Sequence, residues 1–220
     1  NARGVEGVSW FEPRPRVSLA VVESLGIGPH EAVVDVGGGA SRLVDHLVAL
    51  GWSDVTVLDV SAAALRAARA RLGDHPGVTW LHQDVLTWRP TRRYGLWHDR
   101  AVLHFLTDPA EARTYRAVLR SALAPNGAVV LGTFSPEGPE TCSGLPVRRY
   151  APDDLAALLG EGFEVVEVRG ETHTTPTGAR QPFTWVAARL TARGPGGPPV
   201  VQDARAPGGS GAPHPEPPAV

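Results

Sequence analysis

Three aspartates recur at a regular distance along the chain, and each comes at or just beyond a short apolar run. Asp59 follows Asp35 by 24 residues, and Asp84 follows Asp59 by 25. A carboxylate at such a place can accept both hydroxyl hydrogens of a ribose, as Asp59 would, or a hydrogen from an exocyclic amine of a base, as Asp84 would. Singly, Asp59 or Asp84 is more often a helix cap or a solvated loop residue. Together, the three carboxylates predict a nucleoside-binding site.

A run of three glycines follows the first of these aspartates. Gly37, Gly38 and Gly39 allow a sharp turn and let a ligand approach the backbone without a clash at Cβ. The helix expected to begin near Ser41 would direct its free N–H groups at that ligand. A tight turn without a ligand is the alternative interpretation.

The candidate catalytic residues stand together near the end of a fourth apolar run. His98 and His104 are possible general bases, since an unperturbed histidine titrates near pH ~6.5. Asp99 is expected to end the strand and to line the reaction site. Alternatively, His98 packs beneath a ligand, His104 caps the following turn, and Asp99 forms a salt bridge with Arg100 or Arg113.

Further candidates could contact a substrate. Trp10 and Phe11 could fold over a bound cofactor, and Arg100 follows Asp99 directly. Cys142 lies in a Pro/Gly-rich segment and could contact a soft acceptor such as a thiol, although a lone cysteine is more often an ordinary small residue. His173, expected in a loop, is a weaker candidate. A single cysteine excludes an intramolecular disulfide and a multi-cysteine zinc site, and we predict no metal.

Alternating strand and helix patterns must position these residues. Such alternation predicts an α/β fold with a mostly parallel, Rossmann-like sheet of seven strands, helices on both faces and a final antiparallel strand pair. Strands are predicted at 32–36, 55–60, 78–82, 94–98, 128–133, 163–169 and 183–190, and helices at 41–50, 61–72, 108–123 and 151–159.

Composition narrows the function classes. The formal net charge is −2, which lacks the basic excess that nucleic-acid binding usually needs. No apolar run approaches the ~18–20 residues that span a bilayer, and residues 1–9 lack the apolar core of a signal peptide, so we expect a cytoplasmic protein. About half of the segment 194–220 is Gly or Pro, which predicts a disordered tail after one domain at 1–193.

The segment Val33–Ser41 resembles the first motif of class I S-adenosylmethionine-dependent methyltransferases. Asp35, Gly37 and Gly39 match its acid and its Gly-x-Gly turn, while Ser41 replaces a glycine found in many members. The resemblance implies that Asp59 binds the ribose and that Asp84 contacts the adenine, with Val60 and Val85 beside them. It covers residues 8–190, and the stretch around His98 is similar to a largely uncharacterised bacterial subgroup.

The resemblance implies S-adenosylmethionine as cofactor, and electrostatics agrees. An acid directly before a glycine turn would repel a pyrophosphate, whereas Asp35 suits a cofactor with sulfonium and ammonium groups. The implied reaction is an in-line methyl transfer, with a small molecule as the expected acceptor because the chain has little beyond the core fold. Three alternatives stay open: a protein-lysine methyltransferase with Asp99 facing the ammonium, a nicotinamide-dependent oxidoreductase, and a non-catalytic nucleoside-binding protein.

Overall fold

The computed structural model describes residues 11–191. Trp10 and the predicted tail at 194–220 lie outside these residues, as do both limits of the predicted domain. Within residues 11–191, no helix is both long enough and apolar enough to cross a membrane.

Helices and strands alternate through most of the described chain. The helices are α1 (Arg16–Ser24), α2 (Leu43–Ala49), α3 (Ala62–Leu72), α4 (Pro109–Ala122) and α5 (Pro152–Leu159). The strands are β1 (Val33–Val36), β2 (Val55–Asp59), β3 (Val78–His82), β4 (Tyr94–Arg100), β5 (Leu123–Phe134), β6 (Thr141–Cys142), β7 (Leu145–Pro146), β8 (Phe163–Thr174) and β9 (Arg180–Leu190). One 3₁₀ turn, Leu103–Phe105, follows β4.

Seven strands form one sheet in the order β3-β2-β1-β4-β5-β9-β8. The pairs among β1 to β5 are parallel, and β9 lies antiparallel between β5 and β8. The predicted Rossmann-like α/β fold with a final antiparallel pair is confirmed. Parallel strands place all their carboxyl ends along one edge, and ligands in open α/β sheets bind at that edge.

Helices cover both faces of the sheet. One core joins β1, β2 and β4 to α1, α2 and α3 through residues such as Val22, Leu43 and Leu65. The other core lies against α4 and α5 and contains Trp97 and Tyr115, whose side chains meet edge to face at 5.5 Å between ring centroids. Strands buried on both sides explain the continuous apolar runs in the sequence.

Hydroxyl and carboxylate caps fix the helix starts that the sequence predicts. Ser61 accepts a hydrogen bond from the Ala64 N–H at 3.2 Å, and Asp108 accepts one from the Ala110 N–H at 2.7 Å. Such caps satisfy backbone N–H groups that have no partner within the helix.

Apart from shifted bounds, such as those of β5, which begins at Leu123 and not at 128, and of β9, which begins at Arg180 and not at 183, three features differ from the sequence predictions. Strand β8 runs on to Thr174, so His173 lies in a strand and not in the predicted loop. Cys142 belongs to the short antiparallel pair β6–β7, where a loop was expected. Helix α1 was not predicted. The polar, partly exposed residues in the second half of β8 concealed its continuation to Thr174, because an edge strand need not alternate between apolar and polar positions.

Candidate active site

A cavity of about 410 Å³ lies at the carboxyl ends of β1, β2, β3 and β4. Its wall has two parts. We call the residues after β1, β2 and β3 the glycine side, formed by the glycine turn with Asp35, Asp59, Val60, Asp84 and Val85. We call the part around Arg100 and Cys142 the arginine side. Behind Arg100, and outside the wall itself, lie Glu12, which pairs with both Arg100 and His173, and nearby Glu171. Apolar residues complete the wall, namely Ala101, Val102, Phe105, Leu106 and Leu145.

Asp35 and His98 form a buried pair where β1 lies beside β4. The two residues are partners in the strand register, so their side chains project on the same face. Asp35 Oδ1 lies 2.8 Å from His98 Nδ1, and each side chain is 3% exposed. Within the described residues, the other two polar atoms, Asp35 Oδ2 and His98 Nε2, have no hydrogen-bond partner. Because a buried polar atom without a partner is costly, these atoms are suited to bind a ligand.

The glycine turn leaves space that any other residue would fill. A Cβ on Gly37 would lie 2.1 Å from Val102 Cγ2, and one on Gly38 would lie 2.2 Å from Asp35 Oδ2. Gly37 also has a φ of +71°, in the left-handed region that favours glycine. The turn therefore brings bare backbone to the wall of the cavity.

Asp59 holds the turn in place at the end of β2. Its Oδ2 accepts a hydrogen bond from the Gly39 N–H at 3.0 Å, and its Oδ1 accepts one from the Ser61 N–H at 2.7 Å. Burial raises the pKa of Asp59 and the carboxylate of Asp35 adds to this effect, so the two N–H donors only partly offset the rise. Each oxygen keeps a lone pair for a further donor. Gly39 therefore contacts Asp59 and does not line the cavity.

Asp84 and its neighbours complete the glycine side. Asp84 is exposed, and its Oδ1 accepts a hydrogen bond from the Leu86 N–H at 2.8 Å. Val85 is buried, whereas Val60 is 65% exposed. The structure thus places all three aspartates of the sequence pattern around one cavity.

An ion-pair network holds Arg100 on the arginine side. Glu12 Oε1 lies 2.8 Å from Arg100 Nη2 and 2.9 Å from His173 Nδ1. Burial alone would raise the pKa of Glu12, but the hydrogen bond from His173 and the charge of Arg100 outweigh it, so this pKa is lowered. Burial and the charge of Glu12 raise the pKa of nearby Glu171, which accepts a hydrogen bond from Trp185 Nε1 at 2.7 Å.

Asp99 lies on the opposite face of β4 from His98 and does not line the cavity. Its carboxylate is fully buried and accepts hydrogen bonds from the Val102 and Leu103 N–H groups and from Tyr115 Oη, the last at 2.6 Å. Burial raises the pKa of Asp99 to about 6, although these donors oppose the rise. The prediction that Asp99 lines the reaction site is therefore wrong in its geometry, because the alternation of the strand turns this side chain towards α4. Among the described residues, the carboxylate of Asp99 is bonded to Tyr115 and to two backbone N–H groups, and Arg100 pairs with Glu12 and not with Asp99.

His104 also lies outside the cavity wall. Its ring is fully buried between Phe105 and Phe134, with centroids 4.6 and 4.7 Å away. Burial lowers the pKa of His104 to about 3, and the charge of Arg100 contributes. A histidine that stays neutral and makes no contact with the cavity is poorly placed to take a proton from a substrate.

The remaining candidates are divided between the wall and its surroundings. Cys142 lines the cavity, and burial raises the pKa of its thiol. Phe11 is half-buried but does not line the cavity. His173 does not line it either, and pairs with Glu12, which in turn pairs with Arg100.

Sequence reasoning did not assign Glu12, Glu171 or Tyr115 to the site. No local pattern marks them, because each acts on a residue far away in the chain. Val102 and Leu145, which both line the cavity, were not among the candidate residues either.

The region that carries this site has relatives of known type. A family model described as a methyltransferase domain matches residues 33–127, which run from β1 into β5. A crystal structure of the Burkholderia thailandensis 1,6-didemethyltoxoflavin-N1-methyltransferase matches the fold with a TM-score of 0.65 at 22% identity, over 80% of this chain and 77% of that chain. Residues 33–127 of this chain therefore match a methyltransferase domain, and the described fold is that of solved S-adenosylmethionine-dependent methyltransferases.

Two curated proteins are similar to this chain over part of their length. Nodulation protein S of Sinorhizobium fredii is 31% identical over 110 residues, which is 50% of this chain and 50% of the relative. The malonyl-acyl-carrier-protein O-methyltransferase 1 of Ilyobacter polytropus is 28% identical over 176 residues, covering 73% of this chain and 65% of the relative. The chain therefore spans about half the length of the nodulation protein and under two thirds of the second relative.

A second solved member has the same fold. The N-methyltransferase NodS from Bradyrhizobium japonicum WM9, in complex with S-adenosylhomocysteine, has a TM-score of 0.63 at 21% identity, over 81% of this chain and 89% of that chain. At this identity the similarity defines the fold of the methyltransferase family and not the substrate of this chain.

Proposed function

We propose that this protein transfers a methyl group from S-adenosylmethionine to a nucleophilic atom of a small molecule. The observation that carries the proposal is the glycine side of the cavity. There, a turn that tolerates no Cβ lies beside Asp35 Oδ2, a buried carboxylate oxygen that has no hydrogen-bond partner among residues 11–191. Two solved proteins whose folds match this chain, with TM-scores of 0.65 and 0.63, have S-adenosylhomocysteine bound.

The residues of the glycine side fit this cofactor chemically. Asp35 offers an anionic acceptor to a cationic group, and Asp59 and Asp84 offer acceptors to hydroxyl and amine donors. Val60 and Val85 supply apolar surface beside these carboxylates. The bound cofactor supplies an electrophilic methyl group that its sulfonium charge already activates. The protein has to orient the acceptor and exclude water.

His98 is the residue that we propose to take a proton from the acceptor. Its Nδ1 faces the Asp35 carboxylate, which favours the tautomer with hydrogen on Nδ1 and leaves Nε2 as the basic atom. Asp35 would also stabilise the imidazolium after proton transfer. The apolar wall residues Val102, Phe105 and Leu106 would exclude water from the reacting atoms.

A small acceptor fits the arginine side. The whole cavity measures about 410 Å³, which is in the size range of small-molecule sites. Because the cofactor has to occupy part of this volume, the space left for the acceptor is small. Arg100 and Cys142 line this part of the wall, and we propose that they contact the acceptor. We do not assign a nucleic-acid substrate, because the net charge of the chain is −2. We also propose that the protein acts in the cytoplasm of a bacterium.

Cofactor choice can be tested by thermal-shift titration of the full chain with S-adenosylmethionine and, separately, NADH. We expect a saturable rise in melting temperature with the methyl donor alone. Asp59→Asn keeps the size of the side chain but removes its charge, and we expect it to abolish most of the shift. Asp74→Asn, at an exposed side chain, is the matched control and should leave the shift unchanged. A shift with NADH only would overturn the proposal.

The acceptor class can be tested with methyl-labelled donor in a cell extract from the source organism. After the reaction, the extract is separated into protein and small-molecule fractions. We expect label in the small-molecule fraction with the wild-type chain, and its loss with His98→Ala. Label confined to protein would favour a protein-lysine methyltransferase, although Asp99 does not face the cavity as that alternative requires.

A further inference from the structure

A second cavity, of about 310 Å³, lies between α4, α5 and the segment that leads into α5. It shares no lining residue with the cavity described above. Arginine side chains line it from two directions: Arg113 and Arg116 from α4, and Arg148 from the incoming segment. Since residues three apart on a helix share a face, Arg113 and Arg116 project to the same side of α4.

These arginines carry more positive charge than the carboxylates of the described residues around them neutralise. Among residues 11–191, Arg113, Arg116 and Arg148 form no salt bridge with a carboxylate, in contrast to Arg71, which lies 2.7 Å from Asp45. One carboxylate, Asp154, lines the cavity, and its Oδ2 accepts a hydrogen bond from the Ala151 N–H at 2.9 Å. Three cations against one anion leave the cavity positively charged.

Two of the three guanidinium groups are packed against neighbouring residues. The Arg148 guanidinium lies over the Tyr150 ring, 4.9 Å from its centroid. The Arg116 guanidinium occupies the space beside Gly160, where a Cβ would come within 2.4 Å of Nη2. Charges that are fixed in this way lose little side-chain entropy when a ligand binds.

Buried polar atoms without partners occur at the same cavity. Tyr150 is fully buried and lines the cavity, and its hydroxyl has no hydrogen-bond partner among the described residues. Arg116 Nε is likewise buried without an acceptor there. A guanidinium and a phenol both donate hydrogen bonds, so a ligand that is complementary to these groups has several acceptor oxygens.

We propose that this second cavity is a binding site for an oxyanion ester, a phosphate or sulfate monoester with a small apolar substituent. Arg113, Arg116 and Arg148 would bind the oxyanion, because planar guanidinium groups match its geometry and its charge. The remaining wall, formed by Pro109, Ala112, Ala157 and Leu158, is apolar and would contact the organic part. The site is independent of methyl transfer, since its residues are not those of the first cavity.

Calorimetric titration of the full chain with phenyl phosphate tests the proposal. The protein is first saturated with S-adenosylhomocysteine, so that the first cavity does not contribute. Inorganic phosphate tests the oxyanion alone, phenol tests the apolar part alone, and sodium chloride at equal ionic strength tests general screening. We expect saturable binding of phenyl phosphate, weaker binding of inorganic phosphate, and none of phenol or chloride.

Matched variants locate the binding. Arg113→Gln and Arg116→Gln should each weaken phenyl phosphate about tenfold, because each removes a charge-assisted hydrogen bond. Arg66→Gln, at an exposed arginine of α3, should leave the affinity unchanged. Tyr150→Phe should weaken binding about threefold without lowering the melting temperature, since it deletes a buried hydroxyl that has no partner. Absence of saturable binding at millimolar phenyl phosphate, or equal losses in Arg66→Gln and Arg116→Gln, would overturn the proposal.

Discussion

The glycine side and the arginine side of the first cavity are built in different ways. The glycine side takes its carboxylates from three successive strand ends, at Asp35, Asp59 and Asp84, within 50 residues of chain. The arginine side joins Arg100 of β4 to Glu12 before α1 and to His173 of β8. A parallel sheet thus produces the first arrangement by repetition, whereas the second depends on contacts between distant parts of the chain.

The glycine side is fixed by the parallel sheet, whereas the residues of the arginine side can change without a change of fold. Each carboxylate of the glycine side follows from a strand that must end at the same edge. The arginine side lies where the final antiparallel pair meets the N-terminal segment, and a change in either segment would alter the wall without disturbing the parallel strands. We therefore expect cofactor binding and acceptor recognition to respond separately to mutation.

The largest expected effect lies on the glycine side. Gly38→Ala places a Cβ 2.2 Å from Asp35 Oδ2, so the turn or the carboxylate must move. We expect affinity for S-adenosylmethionine to fall by more than about 100-fold, which corresponds to about 2.7 kcal/mol. Calorimetry measures this change. Gly28→Ala, where no heavy atom lies within 4 Å of the added Cβ, is the control and should bind normally.

A second expected effect concerns Asp99, which supports β4 from the face opposite His98. Tyr115→Phe removes the hydroxyl that donates to Asp99 and should lower the free energy of unfolding by about 2 to 3 kcal/mol at neutral pH. Burial already raises the pKa of Asp99 to about 6, and this variant should raise it further. A carboxyl group with a raised pKa loses its stabilising contribution as pH rises through that value, so the deficit should be smaller near pH ~4 than near pH ~8.

Urea unfolding at both pH values checks this expectation. Tyr94→Phe is the matched control, because the Tyr94 hydroxyl donates to the neutral Thr56 hydroxyl at 3.3 Å. Its small cost should not depend on pH. An equal deficit for Tyr115→Phe at the two pH values would contradict an ionised Asp99 as its partner.

A third expected effect concerns His104. Its pKa is lowered to about 3 by burial, so the folded protein keeps this ring neutral while the unfolded chain takes up a proton below pH ~6.5. The contribution of His104 to the free energy of unfolding is therefore full above the pKa of the unfolded histidine and is lost as pH falls below it. Between pH ~7 and pH ~5, this loss amounts to about 2 kcal/mol.

His104→Leu should remove that acid sensitivity while leaving affinity for S-adenosylmethionine unchanged. Urea unfolding across this pH range gives the difference, and exposed His82→Gln serves as the control. If the leucine variant lost as much free energy of unfolding between the two pH values as the wild-type chain, His104 would not be the buried neutral group described above.

The smallest expected effect lies on the arginine side. Glu12→Gln breaks ion pairs to Arg100 and His173 and should lower the free energy of unfolding by about 1 to 2 kcal/mol at neutral pH. Because the pKa of Glu12 is lowered in the folded state, the deficit should shrink as pH falls below the ordinary glutamate pKa. Affinity for S-adenosylmethionine should stay within about twofold of wild type.

Glu140→Gln provides the matched control for this change. Glu140 also pairs with an arginine, Arg149, but its side chain is 79% exposed, so its loss should cost almost nothing. If Glu12→Gln weakened binding of the methyl donor as strongly as Gly38→Ala, the two sides of the cavity would not be separable.

The sequence predicts the sheet and the glycine side well, because both depend on local patterns. Strand β3 has the predicted bounds, and the caps Ser61 and Asp108 mark helix starts correctly. Strand β8 is five residues longer than predicted, because polar residues on an edge strand carry no periodic signal. For the same reason, His173 was predicted to lie in a loop.

Side-chain direction explains the remaining errors at the site. His98 and Asp99 are neighbours in sequence, yet the alternation of β4 turns them to opposite faces of the sheet. The sequence could locate the end of the strand but could not tell which of the two faces the cavity. Only the pairing of His98 with Asp35 decides it.

The contact between Glu12, Arg100 and His173 also orders events during synthesis. A growing chain that has emerged from the ribosome as far as β5 contains every carboxylate of the glycine side, but it lacks His173 and the strand that carries it. The arginine side can form only when the β8–β9 hairpin has been made and has met the segment around Glu12. If the arginine side binds the acceptor as we propose, acceptor recognition would be acquired after the glycine side is complete, and a truncation that reaches β8 would remove it.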